Sequence, residues 1–317
     1  MNINSKLNKI SAAIDLLGDS LNKCAICPRR CGVDRKAGKI GYCRAPFNPV
    51  VYSYIAHHGE EPVLSGRKGS GTIFFTHCNM SCVYCQNYTF SQLDNGEAIS
   101  IEKLTSIMLK LQKMGCHNIN LVSPTHFVPQ ILTALEIAVE KGLDIPIVYN
   151  TSGYDALDTI KILDGIIDIY LPDMRYSDKK NAKAYSDAPD YVRHNRPAIK
   201  EMHRQVGDLL LDENGIAIKG LIIRLLVLPN DISGTSESLK FIKEEISNNT
   251  YLSIMSQYYP AFRAHNFKEL SQGVSPEEYK IKVDEARYLG LNNGWIQEMP
   301  GKTDEKFLGT NIKPKND

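Results

Sequence analysis

The chain has 317 residues, 43% of them hydrophobic and 23% charged, which is a composition typical of a globular protein. Lys and Arg number 37 against 36 Asp and Glu, and the net charge of +1 argues against binding to nucleic acid or an acidic membrane. No run approaches the ~18 apolar residues of a membrane helix, and the first residues lack the pattern of a secretory signal. We therefore expect a cytoplasmic protein, in which the eight cysteines bind metal or act in catalysis rather than forming disulfides.

The first predicted elements are a helix and a cysteine-rich segment. Apolar residues recur at helical spacing between Leu7 and Leu21 and predict an amphipathic helix within residues 1–22. Residues 23–70 begin rich in Pro, Gly and Arg and contain four cysteines, so we expect a small metal-binding element and a lead-in to the main domain.

From residue 71 to residue 260, short apolar runs alternate with helical stretches. The runs cover residues 72–75, 119–122, 145–149, 166–171, 221–228 and 251–255. Six strand–helix repeats predict an α/β core with a parallel sheet, but they do not distinguish an open sheet from a barrel. Asp212-Glu-Asn-Gly215 predicts a hairpin before the fifth run. Residues 261–317 are predicted to hold a last helix, over about 276–289, and a tail.

Three cysteines follow the first run with the spacing C-x3-C-x2-C. Cys78, Cys82 and Cys85 lie within eight residues and can bind three irons of a four-iron cluster. Such clusters normally take four cysteines, so a three-cysteine loop leaves one iron open to a substrate or cofactor. Zinc is the alternative, but a structural zinc site requires four closed ligands.

This motif, with Tyr84 before its last cysteine, resembles that of the radical S-adenosylmethionine (SAM) enzymes. The wider string from Ser70 to Tyr88 is similar to the branch related to pyruvate formate-lyase-activating enzyme, and the resemblance covers about residues 20–300. It implies a partial (β/α)6 barrel and a [4Fe-4S] cluster with SAM at the open iron. It further implies that one electron from flavodoxin or ferredoxin cleaves SAM, and that the resulting 5′-deoxyadenosyl radical abstracts hydrogen from a substrate.

The resemblance also assigns cofactor-binding roles to residues that follow the strands. Tyr84 would lie near the adenine of SAM. Many members have Gly-Gly-Glu after the second strand to bind the amino group of SAM, whereas this chain has Ser123 and Thr125 there. Asn150 and Ser152, after the third run, resemble the polar residues that contact the ribose or the carboxylate.

After the fourth run, Asp173 and Arg175 resemble an Asp-x-Lys pair near the substrate side of activating enzymes. Carboxyl ends of parallel strands share one face of a sheet, and α/β proteins bind their ligands on that face. We therefore expect this pair near the other assigned residues. The substrate, protein or small molecule, stays open, as does activation of a glycyl-radical enzyme.

The N-terminal cysteines have the spacing C-x2-C-x3-C-x11-C. Cys24, Cys27, Cys31 and Cys43 supply the four ligands of a closed site, and both zinc and a second iron–sulfur cluster fit this spacing. Known glycyl-radical activases with extra clusters carry them after the radical motif, so this element argues against a standard activase. A non-catalytic metal-binding module that contacts RNA or protein is the alternative function.

Overall fold

The structure, a computed structural model, describes residues 3–299 of the chain. Its strands are β1 (Val50–His57), β2 (Ser70–Phe75), β3 (Glu97–Ala98), β4 (Ile119–Val122), β5 (Ile147–Thr151), β6 (Ile169–Pro172), β7 (Leu210–Leu211), β8 (Ala217–Leu226), β9 (Tyr251–Met255) and β10 (Gly294–Ile296). Its α-helices are α1 (Ile3–Leu17), α2 (Pro62–Ser65), α3 (Tyr88–Ser91), α4 (Ile101–Lys113), α5 (Val128–Glu140), α6 (Leu157–Ile162), α7 (Lys179–Ser186), α8 (Tyr191–Val206), α9 (Thr235–Glu245) and α10 (Pro276–Tyr288).

Six parallel strands form the centre of the sheet in the same order as in the sequence: β2, β4, β5, β6, β8 and β9. A doubly wound sheet would reverse this order at a switch point, whereas here every crossover runs in one direction. Right-handed crossovers in one direction place the helices on one face of the sheet. β10 and β3 lie at opposite ends of the strand order, so the sheet stays open. The predicted α/β class with a mostly parallel sheet is confirmed.

The two faces of the sheet bury different side chains because successive residues of a strand point to opposite faces. Ile73, Leu121 and Ile223 belong to the large core that also contains the buried faces of α1, α4 and α5. Val148 lies in a separate cluster on the opposite face, together with Leu64 of α2. Thus α2 packs against the inner face of the sheet.

The sheet extends beyond the predicted core of residues 71–260 on both sides. β1 pairs antiparallel with β2, and β10 pairs parallel with β9. The second half of β1, from Tyr54 to His57, is only partly buried, and β10 has three residues. Neither strand therefore shows a periodic hydrophobic pattern in the sequence. The predicted hairpin is confirmed, since β7 pairs antiparallel with β8 across the turn at Asp212. Among residues 3–299, no helix is both long and apolar enough to cross a membrane.

Candidate functional site

The loop with Cys78, Cys82 and Cys85 follows β2 and is fixed by backbone hydrogen bonds. His77 begins the loop with a φ of 75°, which turns the chain out of the strand. The amide of Ser81 donates to the carbonyl oxygen of Ser186 at 3.2 Å. Cys82 is buried, while Cys78 and Cys85 are half-buried. The end of α7 therefore holds the three thiols close to the carboxyl end of β2.

Each of the three sulfurs has a hydrogen-bond partner. The amide of Met80 donates to Cys78 Sγ at 3.4 Å, and the hydroxyl of Ser186 donates to Cys82 Sγ at 3.0 Å. Ser91 Oγ lies 3.1 Å from Cys85 Sγ. Hydrogen bonds to sulfur stabilise the thiolate form, which is the form that binds iron.

Burial has the opposite effect on these thiols. It raises the pKa of Cys78 to about 12 and that of Cys85 to about 11, and the neighbouring Cys82 adds to both shifts. Because desolvation penalises the anion, the thiolates require a bound positive centre. Three thiols in one short loop are a donor set that can bind three irons of a four-iron cluster, so these residues fit a [4Fe-4S] cluster.

Asp173 and Arg175 come together beside the cysteine loop. Arg175 Nη2 donates to Asp173 Oδ2 at 2.6 Å, and the Nε atom of Arg175 is buried with no hydrogen-bond partner within the described chain. The positive charge of Arg175 opposes the rise in the pKa of Cys78 and of Cys85 that burial causes. The structure thus places a partly buried cation close to the three thiols, and its Nε has no partner among the described residues.

Tyr84 lies inside an aromatic cluster at the same site. Its side chain is buried, and its hydroxyl donates to that of Tyr176 at 2.7 Å. The ring of Tyr258 lies 5.9 Å away, edge to face. Burial raises the pKa of Tyr84 well above its ordinary value, so the phenol stays neutral. Tyr84 therefore contributes an uncharged wall next to the thiols.

Three of the assigned polar residues lie at the carboxyl ends of β4 and β5. Ser123 has a φ of 58°, and its amide donates to the carbonyl oxygen of Asn150 at 2.9 Å. Asn150 lies within β5 rather than after it, and its Oδ1 accepts from Arg224 at 3.3 Å. The carbonyl oxygen of Ser152 accepts from Tyr191 at 2.8 Å. The hydroxyl of Ser152 thus lies on a loop whose backbone is fixed.

Thr125 is bound to a buried carboxylate. Its hydroxyl donates to Asp155 Oδ1 at 2.7 Å, and Thr151 donates to the other oxygen at 2.7 Å. Tyr149 adds a third hydrogen bond to Asp155 at 3.1 Å. Burial raises the pKa of Asp155, although these three hydroxyls favour its charged form. The hydroxyl of Thr125 therefore fixes the loop after β4, and its predicted contact with SAM stays a prediction.

A buried ion-pair cluster on the inner face of the sheet was absent from the predicted site. Arg224 of β8 donates to both oxygens of Glu61, at 2.6 and 2.7 Å, and also to Glu60. Burial raises the pKa of Glu61, but the charge and hydrogen bonds of Arg224 outweigh burial and hold it below its ordinary value. Arg224 is the one charged residue of the apolar run 221–228. This lone charge was the signal in the sequence that could have indicated a buried ion pair.

The structure also brings the four N-terminal cysteines together. Cys24, Cys27, Cys31 and Cys43 line one enclosed cavity of about 10 Å³. Burial raises the pKa of Cys27 to about 12, with a further contribution from the other thiols, and it raises that of Cys43. The amide of Tyr42 donates to Cys31 Sγ at 3.3 Å. The structure thus brings the four thiols to one cavity, and the metal predicted for them stays a prediction.

Comparison with known proteins identifies the part of the chain that carries the cysteine loop. Residues 72–172 match the sequence profile of the Radical SAM superfamily. The chain contains a radical SAM domain. Membership of this superfamily implies a [4Fe-4S] cluster, SAM and a reductant, and it indicates an enzyme.

Similar proteins extend over more of the chain than the radical SAM domain does. The uncharacterized protein MJ0674 of Methanocaldococcus jannaschii is 27% identical over 296 residues, which are 90% of this chain and 81% of the relative. A radical SAM methyltransferase from Sphaerobacter thermophilus has a TM-score of 0.48 and 12% identity over 70% of this chain. The FeFe-hydrogenase maturase HydG from Carboxydothermus hydrogenoformans has a TM-score of 0.48 and 14% identity over 70% of this chain. The chain spans 66% and 52% of the lengths of these two structures.

Proposed function

We propose that this chain is a radical SAM enzyme that cleaves SAM reductively and abstracts hydrogen from a substrate, in the manner of the activating-enzyme branch. The observation that carries the proposal is the loop of three thiols at the carboxyl end of β2, within the radical SAM domain. Each thiol has a hydrogen-bond donor or partner, and the partly buried Arg175 lies beside them.

No other cysteine of the chain completes this set. Cys116 lies at the opposite end of β2, because a Cβ atom on Gly71 would be 3.2 Å from Cys116 Cβ. The six residues of β2 span about 20 Å, so Cys116 is out of reach of the loop. The four N-terminal cysteines surround a cavity of their own. Three protein ligands therefore leave one iron for SAM, as the spacing predicts.

A [4Fe-4S] cluster, when bound and reduced, supplies the electron that breaks a C–S bond of SAM and yields a 5′-deoxyadenosyl radical. The chain binds, orients and shields the reactants. Ser123, Asn150 and Ser152 offer hydroxyl, amide and backbone groups to the polar parts of SAM. Tyr84 forms an apolar wall for the adenine, and its aromatic neighbours exclude water.

Asp173 and Arg175 act on the substrate side of the same cavity in this proposal. Their ion pair keeps the partly buried Arg175 at a fixed position, where its free Nε atom can bind an acceptor of SAM or of the substrate. Charge-assisted hydrogen bonds of this kind are stronger than neutral ones. Arg175 therefore positions a reactant without itself exchanging a proton, since its pKa stays well above its ordinary value.

Cys24, Cys27, Cys31 and Cys43 hold a second metal centre in this proposal. The electron donor is a flavodoxin or ferredoxin of the cytoplasm, and the substrate is a protein or a small molecule. The substrate decides whether the chain activates a glycyl-radical enzyme or acts in another pathway.

Reductive cleavage of SAM tests the proposed function directly. The anaerobically reconstituted protein, given dithionite and SAM, should release 5′-deoxyadenosine, measured by chromatography. Cys82→Ala should abolish the release because two thiols cannot hold the cluster, while Cys116→Ala is the matched control and should retain it. Full turnover by Cys82→Ala would contradict the assignment of the site.

A further inference from the structure

Four buried tyrosines form a continuous row that begins in the cysteine loop. The ring centroids of Tyr84 and Tyr176 are 6.5 Å apart, and those of Tyr176 and Tyr191 are 5.7 Å apart. Tyr154 stacks on Tyr191 with a centroid distance of 6.1 Å. All four side chains are at most 2% exposed, and each spacing lies within the range of direct aromatic contact. Aromatic contact therefore runs unbroken from Tyr84 to Tyr154.

The hydrogen-bond partners of the phenols differ along this tyrosine row. Tyr84 donates to Tyr176 at 2.7 Å, and Tyr191 donates to two backbone carbonyl oxygens at 2.8 and 2.9 Å, so the inner phenols donate to neutral groups. Tyr154 donates to the carboxylate of Asp190, whose side chain is 38% exposed. The row thus ends at a negatively charged acceptor that faces solvent.

This difference makes the outer end of the row the most favourable place for an oxidised phenol. A phenol that loses one electron also loses its proton, so its oxidation is favoured where a base accepts that proton. The carboxylate of Asp190 is such a base for Tyr154, and it forms a charge-assisted hydrogen bond with the phenol. An oxidising radical that enters the row at Tyr84 should therefore move outward to Tyr154.

The function proposed above would expose the protein to such a radical. A 5′-deoxyadenosyl radical that meets no substrate abstracts hydrogen from the protein around it, and active sites with reactive intermediates have to prevent side reactions of this kind. The O–H bond of a phenol is weaker than the C–H bond that the radical forms, so a phenol is a favourable donor. Tyr84 lies between Cys82 and Cys85 in the sequence, so the row begins at the proposed radical site.

We propose that the row of Tyr84, Tyr176, Tyr191 and Tyr154 carries a stray radical from the site to the surface of the protein. The radical takes the phenolic hydrogen atom of Tyr84, which breaks an O–H bond and forms a C–H bond of 5′-deoxyadenosine. Tyr84 regains a hydrogen atom from Tyr176 across their hydrogen bond. The proposal rests on the proposed function, which supplies the radical.

The remaining steps return the row to its resting state. Tyr176 regains a proton from the solvent and an electron from Tyr154 through Tyr191, while Tyr154 gives its proton to Asp190. The low-potential reductant that serves the cluster then returns one electron to Tyr154, and Asp190 returns the proton. One stray radical thus consumes one electron from the reductant and one proton from the solvent, and no residue is modified.

A single turnover without substrate tests the row. The reconstituted protein is equilibrated in deuterated water, reduced with deazaflavin and light, separated from excess reductant and mixed with SAM. The 5′-deoxyadenosine of the wild type should carry one deuterium atom from the exchanged phenol, measured by mass spectrometry. The frozen sample should show the electron paramagnetic resonance signal of a tyrosyl radical, which narrows when the protein contains ring-deuterated tyrosine.

Three variants locate the path. Tyr84→Phe should still release 5′-deoxyadenosine but should lose the deuterium label and the signal, because the row then has no entry. Asp190→Asn leaves all four rings in place and should keep the label but lose most of the signal, because Tyr154 then lacks a proton acceptor. Tyr170→Phe removes a buried phenol of the large core outside the row, and this matched control should keep both the label and the signal.

Each outcome decides a separate part of the proposal. A labelled product and an equal signal in Tyr84→Phe would overturn the entry at Tyr84, and an unchanged signal in Asp190→Asn would overturn the outward direction. Unlabelled 5′-deoxyadenosine without a tyrosyl signal in the wild type would overturn the row, while the proposed function would stand. If the wild type releases no 5′-deoxyadenosine, the proposed function fails and the row fails with it.

Discussion

Arg224→Met should strongly destabilise the protein, because it leaves two buried carboxylates without their cation. The side chain of Glu61 is 1% exposed and that of Glu60 is 7% exposed. Arg224 gives Glu61 two charge-assisted hydrogen bonds, which contribute about 1.5–3 kcal/mol each. Removing one partner of a buried ion pair costs about 3–5 kcal/mol, in agreement with that sum. We expect a loss of this size in the free energy of unfolding at pH 8.

The loss should depend on pH in a defined direction. In the wild type, Arg224 holds the pKa of Glu61 below its unfolded value, so Glu61 contributes stability above that value and loses it as pH falls. In the variant, we expect burial to outweigh the remaining hydrogen bonds from Ser253 and the backbone and to raise the pKa, so stability is lost as pH rises above the unfolded value of about 4.3. The difference between the two proteins should therefore be larger at pH 8 than at pH 5.

Urea denaturation followed by circular dichroism at both pH values measures these differences. Lys200→Met is the matched control, because Lys200 and Glu245 form their ion pair at the surface and its loss should cost no more than about 1 kcal/mol. Adding Glu60→Gln and Glu61→Gln to Arg224→Met should restore part of the stability, since no buried charge remains. A loss below about 1 kcal/mol, or one independent of pH, would refute the reasoning.

Substitutions at three further positions test the loops around the site. Asp155→Ala removes the acceptor of three buried hydroxyls and should cost about 2–4 kcal/mol in urea denaturation, while Asp155→Asn should cost less. Gly153→Ala should lower the melting temperature, because Gly153 has a φ of 73° and a Cβ atom there would lie 2.2 Å from the carbonyl oxygen of Asp173; an unchanged melting temperature would contradict this geometry. Ser186→Ala removes a hydrogen bond to Cys82 Sγ and should lower the reduction potential of the reconstituted cluster, measured by redox titration.

The positions of the central strands along the chain were predictable from the sequence because their signals are local. The run 119–122 coincides with β4, since it is buried on both faces and so reads as a continuous apolar stretch. The third run was placed two residues early: β5 begins at Ile147 and includes Asn150, whose polar side chain resembled the start of a loop. The hydrophobic pattern does not mark the end of a strand correctly where a strand of a parallel sheet carries a buried polar residue.

The candidate site also has features that the sequence predicts and features that it does not. The spacing of the thiols was informative because one short loop carries all three, and the N-terminal set is equally local. The partners of Arg224 lie 163 and 164 residues away, and Asn79, whose carbonyl oxygen accepts a hydrogen bond from Arg29, lies 50 residues from it. Such pairs depend on the register of the sheet and on how loops pack, and spacing in the sequence carries no information about either.

The position of α2 has a consequence for the order of binding and release. Leu64 is fully buried with the inner-face cluster, and its carbonyl oxygen accepts from Asn118 at 2.9 Å, so α2 blocks the end of the sheet where the strands begin. In the proposed reaction, reactants and products would then enter and leave at the opposite end. A large substrate bound there would trap methionine and 5′-deoxyadenosine behind it. On that proposal, SAM should bind before the substrate, and the modified substrate should leave before the fragments of SAM.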